Sequence, residues 1–153
     1  MPSPPGFMAS CLLHLLSPRF LSLLIGCGLL AGCSSVSTRQ VIALDDFRNI
    51  FVEQRLADDN HLDLLFVAEL QRLGRVASSG PRTMMPENAD AILTYTDRWE
   101  WDFKTYLIEL NFELHTARTL KKLADGRYHQ PTIKTKSPAA VIRELLVPLF
   151  KDP

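Results

Sequence analysis

Hydrophobic residues follow three rhythms along this chain, and each predicts a different kind of element. Phe20 to Leu30 is a nearly continuous apolar run with Gly26, Cys27 and Gly28 inside it. It is too short and too rich in small residues for a spanning helix of about twenty residues, and it has the form of a signal-peptide core. Leu62, Leu65, Phe66, Leu70 and Leu73 recur at helical spacing, with Gly74 as the stop, after Asp59 or Asn60 as the cap. From Leu93 onward the period becomes two.

In that third stretch Leu93, Tyr95, Trp99 and Trp101 alternate with Thr94, Thr96, Arg98 and Glu100; Tyr106, Ile108, Leu110, Phe112 and Leu114 then alternate with Glu109, Asn111, Glu113 and His115. Both runs predict half-buried strands joined as a hairpin. Charge selects the register: Arg98 falls beside Glu109, Tyr95 beside Phe112, Trp99 beside Ile108 and Trp101 beside Tyr106, with Asp102 to Thr105 as the loop. Sliding the pairing by two residues would oppose Glu100 to Glu109.

The other elements are shorter. Gln40 to Leu44, Ile50 to Val52, or both, supply a first strand, and Arg75 to Ser78 a strand after the helix. If those flanking strands are parallel, the crossover is expected to be right-handed. Ser79 to Asp90 reads as a loop whose Met84-Met85 pair either packs on the core edge or offers a soft partner contact. Lys122 to His129 is a further antiparallel strand with Ala124, Gly126 and Tyr128 inward. Ser137-Pro138 starts a last helix with Val141, Ile142, Leu145 and Leu146 as its stripe, and Pro148 is expected to end it. The predicted fold is α+β: one mostly antiparallel sheet of four to five strands with two helices on one face.

Asp97 breaks the alternation. The register places it on the apolar face between Tyr95 and Trp99, opposite Leu110, where an unpaired carboxylate costs several kcal/mol. Three resolutions are open: a bulge that flips parity, a margin position reached by water or a basic side chain, or a ligand-binding role beside the tryptophans. Each expects Trp99 and Trp101 to share a face with Ile108, shielded from solvent.

Leu30-Ala31-Gly32-Cys33 follows the apolar run and has the lipobox pattern: an aliphatic residue, two small ones, then cysteine. The chain therefore resembles a bacterial lipoprotein precursor, which implies cleavage before Cys33 and a diacylglyceryl group, with fatty acids such as palmitate, on its thiol. A second match, Leu24-Ile25-Gly26-Cys27, would halve the apolar core and leave a Gly-Leu-Leu-Ala front, so Cys33 is preferred. Arg19 is the only basic residue before the run, and translation from Met8 instead of Met1 stays open. The organisation expected is residues 1–32 as signal peptide, 33–39 as lipidated cysteine and polar tether, and 40–153 as a single α+β periplasmic domain. Inner-membrane retention is marked by Asp after the cysteine; Ser34 stands there, so the resemblance implies the periplasmic face of the outer membrane.

Composition narrows the function classes. Removing 32 of 153 residues leaves 121, room for one domain. The 46% hydrophobic fraction mixes leader and domain and does not describe a membrane-embedded protein. All 17 acidic residues follow Cys33 and 16 of the 17 basic ones do, a net charge of −1 that gives nucleic acid no long-range attraction. Cys11 and Cys27 leave with the leader, so no disulfide is expected. His61, His115 and His129 lack metal-ligand spacing, and neither a metal nor a cofactor is expected. No nucleophile motif or phosphate loop occurs, and the acidic pairs Asp45-Asp46 and Asp58-Asp59 read as solvated turn residues.

With the lipobox, the element order and the segment Asp97-Arg98-Trp99-Glu100-Trp101-Asp102, the chain resembles small proteobacterial outer-membrane lipoproteins. In layout alone it is similar to envelope accessory lipoproteins such as the one that plugs the lipopolysaccharide translocon. The resemblance implies a non-catalytic accessory or binding module with an envelope protein or lipid partner, held to the membrane through Cys33. Asp97, Met84 and Met85 are the candidate partner or ligand surface. A transport-linked lipid or small-ligand carrier and an envelope hydrolase are the alternatives.

Overall fold

The long alternation from Leu93 to Leu114 builds the centre of the sheet, a hairpin of β4 (Ala91–Asp102) and β5 (Lys104–Thr116). The computed structural model describes residues 34–130 and 136–150. The chain divides into two units, Met1–Gly32 and Cys33–Pro153, and every described residue belongs to the second. The expected signal peptide, with Leu30, Ala31, Gly32 and Cys33, lies outside the described residues.

Four further strands, β1 (Ser35–Gln40), β2 (Asn49–Glu53), β3 (Val76–Gly80) and β6 (Lys122–His129), complete an open sheet in the order β1-β6-β5-β4-β2-β3. Pairing is antiparallel from β1 to β4 and parallel at β4–β2 and β2–β3. The fold is α+β as expected, but the sheet is mixed and has six strands in place of four or five. Helix α1 (Leu62–Arg72) links β2 to β3, and α2 (Pro138–Phe150) follows β6.

Both helices lie on one face. Phe66 is fully buried against Tyr95 at 5.4 Å and Phe112 at 6.0 Å between ring centroids, with Leu62 and Leu70 on the same stripe. Val141, Ile142, Leu145 and Leu146 of α2 join that core. Glu69 ties the helices: it pairs with Arg72 and accepts from Nε of Arg143 at 3.4 Å. The Arg72 hydrogen bond, with Arg143 behind it, holds the Glu69 carboxyl below its ordinary range. On the other face Phe51, Ala89 and Ile92 form a small cluster with Met85 against it.

Several local expectations change. Residues 35–39 were expected as tether and instead form, with Gln40, β1, an edge strand that is mostly exposed and was concealed by its polar Ser-Val-Ser-Thr-Arg-Gln sequence. Its support is the ladder to β6, plus Arg39 donating from Nη2 to Asp125 at 2.9 Å. Val41 to Leu44 is not a strand, although Leu44 is buried. The expected loop from Ser79 is shortened, because β3 runs to Gly80 and Arg82–Met84 forms a 3-10 turn. Pro148 lies inside α2: the helix continues one more step because Leu149 and Phe150 are buried, Phe150 beneath the Arg75 guanidinium at 5.1 Å.

The hairpin register holds from Ala91↔Thr116 to Arg98↔Glu109 and then shifts, so that Trp99 faces Leu107 and Trp101 faces Thr105. Ile108 is the extra residue of a bulge. The turn is Phe103, at φ 58, in place of the four-residue loop.

Candidate functional site

Asp97 is inward-facing, with its side chain 8% exposed, and its charge is met from a loop that no periodicity or motif placed there. Arg55, just past β2, reaches across and forms an ion pair with it. The indole N–H of Trp99 donates to the other carboxylate oxygen at 2.6 Å. Of the three resolutions, the basic side chain at the sheet margin is the one observed; the bulge lies on β5 and leaves the parity of β4 intact.

Removing one partner of such a pair differs from removing the other. Asp97→Leu frees Arg55, whose side chain is 37% exposed and returns to water, and the indole N–H of the partly exposed Trp99, so stability is expected to stay within about 1 kcal/mol of native. Arg55→Ala strands a nearly buried carboxylate and is expected to cost about 1–3 kcal/mol. Denaturant unfolding of the two variants checks the order; a larger loss for Asp97→Leu would contradict it.

A second carboxylate group sits deeper. Asp58 is buried and accepts from the Tyr95 hydroxyl at 2.5 Å and from the backbone N–H groups of Asn60 and Asp63 at 3.2 and 3.3 Å. It therefore satisfies the N-terminus of α1 that Asp59 or Asn60 was expected to cap, and it is not a solvated turn residue. Asp63, in the first helical turn, accepts from the Ser79 hydroxyl at 2.8 Å. Burial, and then the Asp58 carboxylate, push the Tyr95 phenol well above its ordinary range, so it remains a donor. These bonds hold the β2–α1 connection to β4 and the first turn of α1 to β3.

The other candidate residues are not brought together with Asp97. Met85 packs on Phe51, Ala89 and Ile92, whereas Met84 is 72% exposed on the β3 side of the sheet. Among the described residues no group of three or more His, Cys, Asp or Glu side chains is arranged to hold a metal ion. No described helix is long and apolar enough to cross a membrane. The groove beside Asp97, lined by Glu53, Arg55, Leu56, Thr94 and Tyr95, is open to solvent.

Sequence reasoning missed the tip of the hairpin. Trp101 was expected to be shielded but is 74% exposed, and Phe103 is 94% exposed, with their rings 6.4 Å apart. Parity put Trp101 on the core-facing side, yet β4 and β5 run past the residues that cover that side. Trp99, two residues earlier, is still partly covered and packs on the core.

No family model matches the chain, and no curated protein matches it. Among solved structures the fold is similar to a PelC dodecamer from Paraburkholderia phytofirmans, with TM-score 0.60 and 15% identity over 77% of this chain and 99% of that one. A variant of the same protein gives TM-score 0.61 at 15% identity, over 77% and 98%. The likeness is one of fold: a single open mixed sheet with two helices. A minor lipoprotein from Acinetobacter baumannii aligns at TM-score 0.34 and 18% identity, over 64% of this chain and 84% of that one, too loosely to carry an argument.

Proposed function

We propose that this chain is an outer-membrane lipoprotein, anchored through Cys33 on the periplasmic side, that works without catalysis as an envelope accessory holding a protein or lipid partner. The observation that carries this reading is the lipobox Leu30-Ala31-Gly32-Cys33 standing two residues ahead of β1, so the acylated thiol is at the root of a folded domain. The buried carboxylates of Asp58 and Asp97 support a binding module over a hydrolase, because they are engaged by a helix end and Tyr95, and by Trp99 and Arg55. A ligand carrier needs an enclosed apolar pocket, and the groove beside Asp97 is open.

Copies of the same chain are the first partner to look for, since the PelC of similar fold is a dodecamer. Crosslinking the full chain in cells, followed by identification of the products, tests the reading. A defined complex containing further copies or an envelope protein is expected. Recovery of the chain as an uncrosslinked monomer that turns over a cell-wall or lipid substrate would overturn it.

A further inference from the structure

We propose that the tip of the β4–β5 hairpin, Trp101 with Phe103, lies in the lipid headgroup region of the membrane beside the acyl chains on Cys33. The proposal rests on anchoring at Cys33 and adds a second membrane contact, made by the fold.

The pairing aligns Ser35 of β1 with His129 of β6, His129 with Glu109 of β5, and Glu109 with Arg98 of β4. These four residues form a row across the sheet. Beyond it β6 ends, while β1, followed backward, leaves toward Cys33. The hairpin continues past the row in that same direction, from Arg98 to Asp102 and back from Lys104.

Distances along the chain decide the matter. Two residues of extended backbone carry Cys33 at most about 7 Å beyond Ser35. Strand rise carries Trp101 about 10 Å beyond the row and Asp102, next to the Phe103 turn, about 13 Å. The aromatic tip therefore stands level with or beyond the backbone of the acylated residue, and a domain held this closely brings its tip to the lipid.

The chemistry of the tip fits that position. Two large exposed aromatic residues stand at the tip, and Phe103, the turn residue itself, adopts a left-handed conformation that bulky residues rarely occupy. Arg98 and Lys104 balance Glu100 and Asp102, so attraction to anionic lipid is not what drives the contact. Tryptophan favours the membrane–water interface, where its apolar ring and indole N–H meet tails and headgroups together, and the Phe103 ring adds apolar surface beside it. Leu56, fully exposed in the connection after β2, lies toward the same end of the sheet.

The test uses residues 33–153, a unit whose described core residues all fall between Leu44 and Phe150. Cys33 is its one cysteine, so it couples to a maleimide lipid in vesicles of phosphatidylethanolamine and phosphatidylglycerol, plain or brominated near the glycerol end of the acyl chains. Trp99→Phe leaves Trp101 as the sole tryptophan; Trp101→Phe leaves Trp99. Anchored Trp101 is expected to be quenched several-fold more by brominated lipid than Trp99, and to lose access to iodide. Should Trp99→Phe disturb the hairpin, the difference between the native domain and Trp101→Phe isolates the same signal. Trp101 that stays open to iodide and unquenched by brominated lipid would overturn the proposal, as would its shielding in cells by a crosslinked protein with no quenching in vesicles. Because the anchor is made chemically, such a failure is separate from a failure of acylation in cells.

Discussion

Replacing Gly126 with alanine is expected to destabilise the domain by about 3 kcal/mol, the upper end of ordinary overpacking. Gly126 pairs with Phe112 across β5 and β6, and a Cβ built on it would lie 2.2 Å from Cε1 and 2.9 Å from Cζ of that ring. The ring has no room to retreat: Phe112 is 1% exposed and meets Phe66 edge-on at 6.0 Å, under α1. The glycine is thus required for its missing side chain. Phe112→Leu should cost about 1–2 kcal/mol alone, yet combined with Gly126→Ala it should recover part of the loss, because the two changes share one volume. Guanidinium unfolding of the singles and the double checks this. A Gly126→Ala midpoint close to native would mean that the sheet opens there to accept a methyl group.

What could be read in advance was whatever left a period in the residues. Leu93, Tyr95, Leu110, Phe112 and Leu114 alternate, and the charges of Arg98 and Glu109 then chose the register that the first eight residues of β4 adopt. The shift at Ile108 left no such trace, since Leu107 and Ile108 are both apolar and either can face inward. β1 was invisible for the opposite reason: an edge strand held by backbone pairing and one ion pair needs no apolar face. Asp97 was legible as an anomaly, but its partner Arg55, 42 residues earlier and in a loop, was not. Trp101 shows the limit of parity, which assigns a face and says nothing about whether anything covers it. Pro148 was read as a helix end from its missing N–H, and the burial of Leu149 and Phe150 outweighs that loss.

The largest cellular effect is expected from a single atom. On the proposed anchoring, Cys33→Ser removes the sulfur that would accept the diacylglyceryl group, and loss of the lipid should shift the protein from the membrane fraction, because a tip of two aromatic residues does not hold a folded domain on a bilayer by itself. Cys27→Ser should leave anchoring unchanged, since Leu24-Ile25-Gly26-Cys27 falls inside the apolar run that the signal peptidase has to recognise whole. Gly32→Leu, which spoils the small position before the cysteine, should accumulate uncleaved precursor. Metabolic labelling with palmitate of cells producing the native chain, Cys33→Ser and Cys27→Ser tests the account most directly. Label is predicted on the native chain and on Cys27→Ser, and none on Cys33→Ser; undiminished label on Cys33→Ser, or label lost only on Cys27→Ser, would contradict it and detach the membrane from the start of β1.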